Sequence, residues 1–550
     1  EDNFRPVREM QKALKKQGKK IPDWMNVEQK QRLFAGKTED KTNRFEEMFE
    51  KPILDELKKN KLTLEDLTKY LWAEHVPKRN KRILDNKIKI ENERGYEFTQ
   101  EELDAPCGIS DETAKQWSEE LKKSGKDKKL KKAAQMVWNA NDFFLDMQRF
   151  YGFKSNNQIA KMRKAYGGRF IPMGNDEQSL TDMPAGRGSI SMVKGLKPNT
   201  EAGVDPVTLT MHRNKKGIIN GEKNEVKKSL YKLARNHPNP DLFEIYLPED
   251  ELDEHRRTME ETEFEKWVNN NGIFSETELD RIEGQRQNPE VIPIRRDDGS
   301  RAYMKIKHSG IDRAVRQTGV VRGNKLVRGI GEVSKWLVMA NTMLNPEFIY
   351  SNLFRDTGNA TGNIVNMKTR MGEGVDTKKA ARDVAKSLPQ IMKGIYNYHF
   401  RKEGEQMNEM AKWYDDYAKH GGKIGRPFLG NMTELAESMR AEIGKATGGG
   451  LMSATRRNKD KILDFATKFN EIFENANRVA AYKYAVENGV SKEQAAKMGR
   501  ELTVDFNRKG EWGQMLNTFY LFSNAGIGGS ARILRGMKNN PKRAGKVAGS

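Results

Sequence analysis

Apolar residues recur at every third or fourth position through most of this chain, the spacing that lines one face of an α-helix. That period holds from Phe4 to about Ile83, in FRPVREMQKAL, in NRFEEMFEKPILDELKK and in LTLEDLTKYLWAEHV. In the second of these, Phe45, Met48, Phe49 and Ile53 share a stripe, and Gly18, Gly36 and Asn60 read as the turns between helices. Residues 84–107 read as loop. SDETAKQWSEELKKSG, from Ser110, reads as a capped helix ending in a glycine turn, and a long helix follows in KKLKKAAQMVWNANDFFLDMQRFYGF.

One stretch breaks the helical period clearly. VIPIRRDDGSRAYMKIKH, residues 291–308, carries two β-rich runs around Asp298-Gly299, with Ala302, Met304 and Ile306 alternating against Tyr303, Lys305 and Lys307. It predicts a hairpin, and LFEIYL at 242–247 predicts a further short strand. The fold class is therefore mainly α, multi-helix domains with one small β-hairpin. Between Gly167 and Pro206 the text turns to Gly, Pro, Asn and Ser without periodicity, as a loop or linker does. The predicted divisions are a helical domain over 1–166, a linker over 167–206, a helical segment with an acidic insertion and the hairpin over 207–310, and a second helical domain over 311–550.

Composition narrows the function classes. Of 550 residues, 32% are charged and 36% hydrophobic, and the longest strongly apolar run, WLVMA at 336–340, is far shorter than a membrane-spanning helix needs. The single Cys107 excludes an internal disulfide framework and a Cys-rich zinc site. A chain that opens on Glu1 and stops at Gly549-Ser550 reads as an excerpt of a larger polypeptide. The net charge of +21 suits phosphate backbones, anionic lipid or an acidic partner.

The familiar catalytic words are missing: no GxxxxGK[ST], HExxH, paired CxxC or GxSxG occurs, and the seven histidines include no i,i+4 pair. Gly526 to Ala531 fits GxGxxA, yet no Asp or Glu stands between Glu511 and Ser550 to hold a ribose, so a helix joint is the better reading. The carboxylates Glu249, Asp250, Glu251, Asp253 and Glu254 beside His255 read as a helix start, where acids suit the dipole. No enzyme, cofactor or metal is expected.

Two features remain. In NPEFIYSNLFRDTGNATGN, residues 345–363, Asn352, Arg355, Asp356, Asn359 and Asn363 share a helix face opposite Ile349, Leu353, Ala360 and Ile364. No nucleophile or proton carrier stands beside Asp356, so the stripe reads as a structural joint in which Arg355 and Asp356 pair across helices. Arg478 in ENANRVAAYKYA and Asp505 in TVDFNRKG are similar polar groups among apolar residues, and together with the stripe they form a candidate fold-specifying network. At the end of the chain, Arg532, Arg535, Lys538, Lys542, Arg543 and Lys546 follow the apolar Phe519 to Phe522 with no acid between them, a pattern for DNA phosphates or a lipid surface.

DNFRPVREMQKAL and LTKYLWAEHVPKRN near the start, NPEFIYSNLFRDTGN in the middle, and ENANRVAAYKYAVENGVSKEQAAKMGRELTVDFNRKGE with LNTFYLFSNAGIGGSARI near the end resemble the internal virion, or ejection, proteins of tailed phages and related modules of large polyvalent phage proteins. The resemblance implies a largely helical structural module, stored in the capsid and delivered with the genome into the host envelope or cytoplasm. The partners it implies are other internal virion or portal proteins, copies of itself, DNA through non-specific phosphate contacts, and peripherally the host membrane. An injected antirestriction or host-defence antagonist is the alternative it leaves, and a cell-wall hydrolase fragment a third.

Overall fold

The computed structural model describes residues 4–87, 91–92, 97–172, 205–274, 291–317, 377–402, 404–423, 439–440, 443 and 451–502. It is mainly helical with one small sheet. The first helices are α1 (Arg5–Lys16), α2 (Val27–Phe45), α3 (Lys51–Asn60) and α4 (Leu64–Asp85). Local chemistry fixes their ends: Asn26 accepts from the N–H of Gln29 at the start of α2, and Thr63 with Asp66 forms a reciprocal capping box at the start of α4. Gly36, expected as a turn, instead lies inside α2. Its lack of a side chain serves packing rather than chain reversal, as described below. A π turn over Glu46–Glu50 joins α2 to α3, where Pro52 has no N–H to continue a regular ladder.

A short helix, α5 (Gln100–Asp104), interrupts the expected loop, then come α6 (Asp111–Lys123), α7 (Asp127–Phe150) and α8 (Asn156–Tyr166). Ser110 and Ser155 cap α6 and α8. After the sequence 173–204 follows α9 (Pro206–Asn236), buried along most of its length. The sheet is next, interleaved with α10 (Glu249–Arg256), α11 (Glu261–Asn271) and α12 (Ser309–Gln317). Its strands β1 (Phe243–Tyr246), β2 (Ile273–Phe274), β3 (Val291–Arg295) and β4 (Arg301–Ile306) lie in the order β2-β1-β4-β3. β3 and β4 form the predicted hairpin, with Arg295 opposite Arg301 and Gly299 at φ +88 in its turn. The alternation turns Ala302, Met304 and Ile306 inward as expected. β3 is an edge strand, the position where a proline such as Pro293 is tolerated. The short β2, parallel to β1, has too few residues for a periodicity to announce it. Four helices close the described chain: α13 (Thr377–Phe400), α14 (Glu409–Lys419), α15 (Leu451–Glu487) and α16 (Lys492–Leu502).

The apolar cores cross the divisions expected from sequence. One core joins α3, α4 and α7 to the start of α9 through Leu57, Leu71, Val137, Val207 and Met211. A second packs the sheet on the rest of α9 and on α1, through Val7, Val226, Leu230, Ile292 and Met304. A third belongs to α13–α16, and Leu33 of α2 is buried in it. Each fully buried leucine of this kind contributes roughly 1.5–3 kcal/mol. α9 thus serves two cores and α2 reaches a third, because each presents apolar residues on more than one face.

Candidate functional site

The densest polar assembly lies where α2 meets α14, α15 and α16. A Cβ on Gly36 would stand 2.4 Å from the carbonyl oxygens of Gly421 and Lys423, and one on Gly421, at φ +80, would stand 2.7 Å from the oxygen of Leu33. Backbone therefore rests on backbone, which only glycine permits. Around this contact, charged side chains pair across helices. Glu493 of α16 accepts from Lys30 of α2 at 2.8 and 2.9 Å and also binds Lys37. Burial pushes the Glu493 carboxyl up, but the ammonium groups of Lys37 and Lys30 prevail and hold its pKa at about 2. Arg32 pairs with Glu28 and Glu501, and Arg500 donates to the carbonyl oxygens of Arg32 and Gly421 at 2.6 and 3.2 Å. Arg44 bridges Asp40 of its own helix and Asp415 of α14, each at 2.7 Å. Burial works against its charge, and the two carboxylates more than restore it.

Deeper in the same bundle, Glu471 Oε2 accepts from Tyr414 Oη at 2.8 Å and pairs with Lys423 Nζ at 2.9 Å and His399 Nε2 at 3.1 Å. Burial alone would raise the carboxyl pKa; the His399 hydrogen bond and the Lys423 charge hold it far below the usual range. Burial, then the adjacent Glu471, pushes the Tyr414 phenol well up, so it remains a donor. Chemically this is a clamp: one carboxylate oxygen gathers three donors from α13, α14 and the turn after α14.

Of the predicted joint residues, Arg478 lies on α15, the helix that carries Glu471. It is 2% exposed, bonds Glu474 one turn earlier at 3.1 Å, and its carbonyl oxygen would lie 2.9 Å from a Cβ on Gly499 of α16. Asn352, Arg355, Asp356, Asn359 and Asp505 lie outside the described residues, as do Arg532, Arg535, Lys538, Lys542, Arg543 and Lys546. The acidic run at 249–254 begins α10, with Glu251 paired to Arg235 at 2.8 Å and the His255 ring tilted against Trp267 with ring centres 4.1 Å apart. Among the described residues, no group of three or more His, Cys, Asp or Glu is placed to hold a metal ion, and no helix is long and apolar enough to cross a membrane.

Sequence reading missed the polar content of α9. Asn214 Nδ2 donates to the oxygens of Ala140 and Thr210, Lys215 pairs with Glu46 and Glu50 at 2.7 Å each, and Glu222 accepts from Tyr151 Oη at 2.8 Å. The one available signal was a 31-residue helix whose polar residues exceed what a single solvent face can take. Compared with known proteins, the chain matches no family model, no curated protein and no solved structure.

Proposed function

We propose that the protein is a non-catalytic structural module of a phage internal virion protein, stored in the capsid and ejected with the genome, where it assembles into a core or conduit for DNA. The observation that carries this reading is the way ionisable groups are used at the α2 joint. Glu493, Asp415 and Glu501 are engaged by cations from α2 and Glu471 by Lys423 of the turn after α14, so the charges specify how these pieces dock rather than line an opening for a substrate. The charge of +21 supports the second half of the proposal, non-specific contact with DNA phosphates. The resemblance of its motifs to those of ejection proteins suggests the setting: other internal virion or portal proteins and further copies of the chain as neighbours, the host membrane as a peripheral contact, and the host envelope or cytoplasm as the destination.

The test is mass spectrometry of purified particles combined with symmetry-resolved imaging of the capsid interior. The chain is expected in an ordered portal-proximal core. Its absence from virions would overturn the proposal.

A further inference from the structure

The turn after α7, residues Tyr151 to Ser155, is pressed into the hairpin. A Cβ on Gly152, at φ +73, would lie 1.8 Å from the oxygen of Arg296, and one on Gly299 would lie 2.9 Å from the nitrogen of Ser155. Asn224 of α9 locks both pieces: its Nδ2 donates to the oxygens of Tyr151 and Arg295 at 3.3 and 2.9 Å, and its Oδ1 accepts from Arg295 N–H at 3.0 Å. Three segments far apart in sequence thus make one rigid seat.

That seat carries cations. Lys154 comes from the turn, and Arg295 with its cross-strand neighbour Arg301 from the hairpin; Arg213, nearer the start of α9, lies against aromatic rings, its guanidinium 4.8 Å from the Phe144 ring centre and 5.8 Å from that of Phe170. Lys154 and Arg295 are half-buried, so each is part desolvated yet reachable, whereas Arg213 is more enclosed. Burial lowers the pKa of Lys154, and the charges of Arg295 and Arg213 lower it further. Burial and then Arg301 lower that of Arg295; burial and then Arg79 push that of Arg213 down to about 10. Among the described residues, no carboxylate lies within ion-pair distance of Lys154, Arg213 or Arg295. The contrast on α9 itself is direct. Lys215 is held by Glu46 and Glu50, and Lys228 by Glu225 and Asp297. Lys215 and Lys228 on this helix are thus neutralised by carboxylates, whereas among the described residues Lys154, Arg213 and Arg295 have no such partner.

We propose that Lys154 and Arg295 form a binding site for a phosphate group, with the charge of Arg213, packed on Phe144 and Phe170, adding to their field. A multiply charged anion offsets several repelling cations at once, which a single carboxylate does not, and the guanidinium fork of Arg295 matches two phosphate oxygens. The site is separate from the basic tail and does not depend on the virion reading: absence from particles leaves it standing, and failure to bind phosphate leaves that reading standing.

The test is calorimetric titration of the full chain with inorganic phosphate, at an ionic strength held constant with chloride. Wild type is expected to bind. Lys154→Gln and Arg295→Gln are each expected to weaken binding by about tenfold, the loss of one charge-assisted contact. Lys126→Gln, which removes a cation already paired with Asp66 at 2.8 Å, is expected to change nothing. Circular dichroism checks that each variant is folded, and the two partly exposed positions keep the test independent of the more enclosed Arg213. Competition then identifies the source: displacement by duplex DNA assigns a backbone phosphate, and tighter binding of a nucleoside diphosphate assigns a mononucleotide. No binding by wild type, or an equal loss in Lys126→Gln, would overturn the proposal.

Discussion

The α2 joint and the seat around Lys154 are both built by glycines that bring backbones together, and both gather cations, but they treat charge in opposite ways. At the joint, Lys30, Lys37, Arg44 and Lys423 meet carboxylates across helix boundaries. At the seat, Lys154, Arg213 and Arg295 meet other cations. Desolvating a charge is costly, and a partner placed on another helix offsets the cost only when that helix is docked correctly. The joint therefore converts charge into a docking specification. Among the described residues the seat's cost is left unrelieved, which is the condition under which an external anion gains most by binding.

The sharpest way to break the contrast is to remove a carboxylate from the joint. Glu471→Ala leaves Lys423 and His399 without their shared partner and is expected to destabilise the full chain by about 3 kcal/mol or more, read from urea unfolding. A change within ~0.5 kcal/mol would show that the clamp contributes nothing to docking. Next in size is Gly36→Ala. The added methyl meets two carbonyl oxygens at 2.4 Å, backbone that cannot swing aside, so a loss of about 2–3 kcal/mol is expected despite the better helix propensity of alanine. An unchanged or raised melting temperature would mean that α2 does not rest on the 421–423 turn.

Gly36 also shows where sequence reading runs out. A glycine in a polar stretch reads as a turn, and nothing local says that it touches residues almost four hundred positions later. The same holds for the seat, whose cations come from a turn, a strand and a helix; each looks solvated in its own segment. What was legible was whatever is decided within a few residues. The Asp298-Gly299 hairpin, the Ser110 cap and the long helix read over 128–153 follow from turn chemistry, capping and period; the first two stand as read and the helix runs over Asp127–Phe150. Arg478 was legible as a buried polar group because apolar residues surround it in sequence. Its Glu474 partner lies one turn away, while the cross-helix pairs around it depend on tertiary docking that no local pattern encodes.

A third expectation concerns pH. The folded-state pKa of Glu493 is held at about 2, below its ordinary value of 4.5, so the unfolded chain binds the proton more readily. The stability this group contributes is present above about pH 4.5 and is lost as pH falls toward about 2. Allowing for partial exposure, about 2 kcal/mol is at stake. Glu493→Gln should remove that part of the acid dependence, seen as a shallower fall of the urea midpoint between pH 5 and 2.5. An identical pH profile for wild type and variant would mean that Lys30 and Lys37 do not hold the carboxylate.

The smallest effect is the most discriminating, because the two regions differ in its sign. Removing a cation from the joint deprives a carboxylate, so Lys30→Met should destabilise. Removing one from the seat relieves repulsion, so Lys154→Met should stabilise the chain in phosphate-free buffer, by ~0.5 kcal/mol since the group is only half-buried and water screens it. The gain should shrink as salt rises, because screening weakens the repulsion that the substitution removes. Phosphate should reverse the order: wild type, which binds the anion, rises in melting temperature by linkage, and Lys154→Met follows weakly or not at all. A crossing of the two stability curves with added phosphate would tie the uncompensated charge to the ligand. A loss of more than ~1 kcal/mol in phosphate-free buffer would instead show that Lys154 serves the fold as the joint lysines do, and the contrast between the two regions would fail at that residue.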